Sequence, residues 1–120
     1  MSGDDLESIR YMLSLIQEYC ERIENHVRRF GGREEFLKDW AYQDSCIMVL
    51  GQIGEESKRI LDWLQSNSDY NWKDVVRFRD FIYHCYFRTN YEVVWKIIED
   101  DIPDLKDSVT ALIKLIDERS

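Results

Sequence analysis

The sequence is short of the residues on which several protein classes depend. One proline and five glycines in 120 residues are too few for a collagen-like or low-complexity chain. The three cysteines, Cys20, Cys46 and Cys85, are odd in number, far apart and form no CxxC pair, so they read as reduced core residues rather than a disulfide framework. The only two histidines, His26 and His84, stand in no HExxH or comparable spacing, and neither a metal nor a cofactor is expected. No apolar run approaches the ~18 residues that a membrane span needs. The opening MSGDDLESIR is acidic and polar, which points to a cytoplasmic protein with no membrane partner. With 16 Lys and Arg against 24 Asp and Glu, the formal charge is -8. Phosphate neutralisation needs clustered cations, so DNA binding is not expected and any RNA contact has to be local.

What the chain does have is helical periodicity. Hydrophobic residues make up 44% and charged residues 33%, enough for one folded domain over 1–120. Leu6, Ile9, Leu13, Ile16, Cys20, Ile23, Val27 and Phe30 recur in steps of three and four, predicting a long first helix that Asp4 and Glu7 open as a capping box and Gly31-Gly32 ends. A second helix is predicted from about Glu34 to Gln65, antiparallel to the first, with Gly51 and Gly54 inside it marking a place where another backbone comes close. Ser66 to Asn71 reads as a loop. A third helix follows from Trp72 to about Tyr86, then a short one opened by Thr89 and Glu92 and running through Ile98, and a last one restarted by Asp101 and Pro103. The expected fold class is all-α, an antiparallel up-and-down bundle of four or five helices.

The third helix carries the chemistry. Val75, Phe78, Ile82 and Cys85 form its core stripe; Trp72, Val76, Arg79, Tyr83 and Tyr86 an adjacent arc; Lys73, Arg77, Asp80 and His84 the opposite one. Between Trp72 and Asn90 four basic residues face two acidic ones, whereas Tyr91 to Ser120 holds four against eight, so the positive potential is confined to this helix and its exit. His84 is suited to taking a proton from a ribose 2′-hydroxyl, Arg79 to stabilising charge growing on a phosphoryl oxygen, and Asp80, one turn before His84, to orienting the imidazole. Lys73, Arg77 and Arg88 are candidate RNA contacts. Arg79 and His84 point about 140° apart on a helix, so one copy does not bring them to one face. A homodimer with Trp72, Val76 and Tyr83 at its seam would line a shared cleft with both groups. On the residues alone an ordinary solvated helix face remains an open alternative. His26, beside Ile23 and Val27, reads as boundary packing, and Arg28, Arg29 and Arg33 as cations suited to a helix C-terminus.

Arg79, four intervening residues, His84, one more residue and Tyr86 resemble the RX4HXY motif of HepT-type toxins in the HEPN superfamily. The resemblance extends through EFLKD, IGEESKRI, the Trp opening the motif helix and YEVVWKIIEDDIPDL, covering Leu6 to Ile116. It implies a HEPN-like bundle and a metal-independent endoribonuclease toxin that is active as a homodimer, with Arg79 and His84 catalytic. It further implies a partner nucleotidyltransferase antitoxin that places AMP on Tyr86. The alternative is a non-catalytic module that binds nucleotide or substrate for such a nucleotidyltransferase.

Overall fold

The computed structural model describes residues 3–85 and 90–119, with side chains over 5–82 and 90–119. Seven α-helical segments and no strand occur among the described residues. The first, α1 (Gly3–Phe30), begins ahead of Asp4, which therefore lies inside the helix and not at its cap. It ends where expected: Gly31 adopts φ +111° and donates its N–H to the Val27 carbonyl at 2.9 Å, a left-handed stop that only glycine adopts at low cost.

The predicted second helix is three segments, α2 (Arg33–Lys38), α3 (Trp40–Arg59) and α4 (Leu61–Asn67). Asp39 makes the first break. Its backbone is extended, and its carboxylate accepts the N–H groups of Ala41 and Tyr42 at 3.0 and 3.2 Å, so it caps α3 instead of continuing α2. Ile60 makes the second break, at φ −119° and ψ 23°, while burying its side chain. The motif helix, α5 (Trp72–Cys85), follows the expected loop.

The last two predicted helices are joined. Helix α6 (Tyr91–Lys96) passes through a π-helical turn, Ile97–Asp101, directly into α7 (Ile102–Arg119). The proline that was expected to restart the chain lies in the first turn of α7. Pro103 has no N–H and its ring would meet the carbonyl four residues back. Widening the preceding turn, with the Ile102 N–H reaching the Ile97 carbonyl, carries the chain past it unbroken. The described cap of α6 is Asn90, whose side chain accepts the Glu92 N–H at 3.0 Å; Thr89 lies outside the described residues.

Helix α1 packs between α3 and α7, and α3 carries α5 on its other flank. Leu13, Ile16, Cys20 and Ile23 of α1 meet Leu50 and Ile53 of α3 and Leu105, Val109 and Leu112 of α7 in one core. Phe36 closes one end of it against Tyr42, Trp95 and Tyr91, with ring centroids at 5.1, 5.5 and 6.4 Å. Polar rungs tie α1 to α7 in antiparallel register: Arg10 to Asp117 at 2.7 Å, Gln17 to Thr110 at 2.9 Å and Lys106 to Glu24 at 2.8 Å.

Candidate functional site

Helix α5 is laid on α3 by its apolar stripe. Trp72, Val75 and Phe78 are buried, and Ile82 is partly buried beside them. Trp72 is only 1% exposed, with its ring 5.1 Å from that of Tyr70. It is a core residue of its own chain, and its place on a dimer seam is corrected accordingly: the indole is too hydrophobic to stay outside when the start of α5 meets α4. Val76, half-buried, remains on the outer flank.

The α3–α5 crossing is set by one glycine. A Cβ on Gly54 would lie 2.8 Å from the Arg79 amide nitrogen, 3.0 Å from the Arg79 Cβ and 3.3 Å from the Val75 carbonyl oxygen. Nothing larger than hydrogen fits there. Gly51 does not have this role, since its nearest described neighbour, Ile82 Cδ1, would be at an ordinary 4.0 Å. Of the two glycines expected to mark a close approach, Gly54 alone does so among the described residues, and what approaches is the backbone of Arg79.

Arg79 therefore leaves α5 beside the next residue of α3. Its Nε pairs with the Glu55 carboxylate, and its Nη1 stands 3.5 Å from Asp80 Oδ1. The side chains of Arg79 and Glu55 are 32% and 37% exposed, so the pair is half-withdrawn from water, where charge attraction is screened less than on an open surface. Asp80, expected to orient His84, reaches towards Arg79. Lys73 and Arg77 lie exposed on the outer face, Arg77 being held by Asp74 at 3.1 Å. Tyr83 and His84 continue the backbone of α5, but their side chains, and all of Tyr86 and Arg88, lie outside the described residues.

Glu55 is the residue to which sequence reasoning gave no role. The signal was present in its neighbour: a glycine inside a helix implies a close partner, and whatever follows it by one position stands at the edge of that contact.

Elsewhere, Cys20, Cys46 and His26 behave as packing residues. Burial pushes the thiols of Cys20 and Cys46 up to about 12, which keeps them protonated and unreactive. Burial, reinforced by Arg29 and Arg22, lowers the pKa of His26, whose ring rests 5.8 Å from that of Phe30. No helix among the described residues is long and apolar enough to cross a membrane.

The family description "Ribonuclease HepT-like" matches residues 16–112, which takes in both glycines of α3, the whole motif helix and most of α7. The chain belongs to the HepT-like ribonuclease family. It is 35% identical over 112 residues to a protein of Thermococcus cleftensis named probable ribonuclease HepT, covering 92% of this chain and 94% of that one. It is also 35% identical over 85 residues to a candidate RNase of Methanocaldococcus jannaschii, covering 70% of each chain. A candidate RNase of Caldanaerobacter subterraneus subsp. tengcongensis is 30% identical over 105 residues, covering 87% of this chain and 92% of its own. No solved structure matches the chain. The all-helical HepT-like fold thus places an arginine, two carboxylates and the motif helix at one crossing.

Proposed function

We propose that this HepT-like chain is a metal-independent endoribonuclease, the toxin of a toxin–antitoxin pair, acting in the cytoplasm as a homodimer. In this reading His84 takes the proton of a ribose 2′-hydroxyl, the freed oxygen attacks the adjacent phosphorus, and the P–O5′ bond breaks to leave a 2′,3′-cyclic phosphate and a 5′-oxygen that takes a proton from water, while Arg79 stabilises the charge that grows on the phosphoryl oxygens. The observation that carries the reading is the seating of Arg79. A merely solvated arginine needs no glycine opposite its backbone and no cross-helix carboxylate, and Arg79 has both.

The homodimer answers the geometry of the motif, since His84 points about 140° from Arg79 on a helix. The seam proposed for it runs along the outer flank of α5 through Val76 and Tyr83, with Trp72 removed. Lys73 and Arg77 then stand ready to meet RNA phosphates, the exposed Arg77–Asp74 pair being weak enough to open, together with Arg88. A partner nucleotidyltransferase silences the toxin by adding AMP to Tyr86. The added phosphate repels an incoming RNA phosphate and occupies its place.

The purified protein, freed of any AMP, is expected to cleave single-stranded RNA in EDTA. Arg79→Ala and His84→Ala should each lower the rate at least about 100-fold, the usual scale for loss of a charge-stabilising group, with unchanged circular dichroism. An inactive wild type would sink the reading and leave the second one. That second reading, a non-catalytic module binding nucleotide or substrate for a nucleotidyltransferase, is favoured by one observation: two carboxylates already surround the Arg79 charge.

A further inference from the structure

Glu55 lies on α3, outside the motif, yet it meets the motif arginine at its Nε. We propose that Glu55 is the positioning residue for Arg79, and that Gly54 and Glu55 together form the seat from which the guanidinium acts. The inference rests on the reading of Arg79 as the group that faces the RNA phosphate.

Arginine reaches its target on a stem with several free torsions, and in water its head samples many positions. Transition-state stabilisation requires one of them, and a displacement of about 1 Å can cost about 100-fold in rate. Two features restrict Arg79. Gly54 brings the α5 backbone so close to α3 that the Arg79 Cα is fixed against it, with a would-be Cβ only 2.8 Å from the Arg79 nitrogen. Glu55, one residue on, then sets its carboxylate against Nε as an ion pair. Nε lies at the base of the guanidinium plane, so holding it sets the direction of the fork without covering its far end. Asp80, 3.5 Å from Nη1, adds a second, looser restraint. Because Glu55 is half-withdrawn from solvent, its carboxylate keeps this grip better than an exposed ion pair would.

Glu55→Ala and Glu55→Gln separate positioning from other roles when measured beside Arg79→Ala and the double variant. On a single-stranded RNA substrate, Glu55→Ala should lower kcat by about 10- to 100-fold with little change in KM. Glu55→Gln, which keeps the shape of the side chain but not its charge, should recover only part of the loss. Glu55→Ala combined with Arg79→Ala should be no slower than Arg79→Ala alone, because the glutamate acts through the arginine. Thermal melts of each variant close to the wild type show that the fold is intact. Wild-type kcat in Glu55→Ala overturns the proposal, as does a gain in activity, which would make the glutamate a restraint against RNA. A double variant slower than Arg79→Ala overturns it too, by giving Glu55 an independent role. Full activity in Arg79→Ala is a different failure, that of the underlying reading.

Discussion

At the scale of single residues, the site depends on the smallest side chain in it. Alanine is a better helix former than glycine by about 1 kcal/mol, so Gly54→Ala would gain stability in an isolated helix. Here the added methyl meets a backbone nitrogen at 2.8 Å, which does not yield as a flexible side chain would. The overpacking cost of about 1–3 kcal/mol should win, lowering the urea midpoint and displacing Arg79, with RNA cleavage lost alongside. Gly51→Ala, whose nearest described neighbour stands at 4.0 Å, is the control and should lose neither. A Gly54→Ala protein as stable as the wild type would show that the crossing is softer than its geometry indicates. The sequence showed that a glycine in this helix meant a close neighbour, because glycine is costly there without a reason. It did not show which glycine, nor that Glu55 reaches Arg79, because a contact between residues 24 apart on two helices follows no periodicity within either. The burial of Trp72 was missed for a related reason. The 3.6-residue rhythm of α5 put it beside Val76, but the start of the helix lies under Tyr70 and α4, where a flanking position is also covered.

At the scale of elements, long helices with regular apolar steps were legible and interruptions were not. Helix α1 was readable to within a few residues at both ends because its seam is unbroken and Gly31 stops it. Asp39 was not, since aspartate is ordinary on a helix surface and becomes a cap only when its own backbone turns extended. Pro103 was read as a restart, whereas the π-turn absorbs it. That turn gathers Glu99, Asp100 and Asp101, with Asp104 one turn on. Burial, then Asp100, Asp104 and Asp74, raise the pKa of Asp101, with Lys96 opposing. A carboxylate whose folded pKa exceeds its unfolded one weakens the fold when ionised, and the penalty starts to fade as pH falls through the raised value and is gone below the ordinary one. Asp101→Asn should therefore raise the melting temperature at pH 7, with the advantage shrinking as the buffer is brought towards pH 4. An advantage that persists undiminished in acid would assign it to something other than charge.

At the scale of the whole molecule, the all-helical bundle was legible in composition and periodicity together, while the pairing of the first helix with the last was not. Its outermost rung, Arg10 to Asp117, holds the Asp117 carboxyl below the usual range through the hydrogen bond from Arg10. The sign is opposite to that of Asp101. A lowered folded pKa adds stability above the ordinary carboxylate range, and this is lost as pH falls through the lowered value. Both partners are exposed, so the effect is modest. Urea midpoints of wild type and Asp117→Asn should differ at pH 7 and converge as the pH falls below the ordinary carboxylate range and through the lowered value. Parallel curves over the whole range would remove the pair from the stability of the bundle.

The same rungs join residues 107 and 93 positions apart. Closing so long a loop costs entropy before any contact repays it. During synthesis, α1 and the entire motif helix are made before α7. Until it arrives, the apolar stripe of α1 has no cover on that side. A chain broken off before α7 therefore keeps the α3–α5 crossing in its sequence but leaves one side of the helix that α3 packs against uncovered.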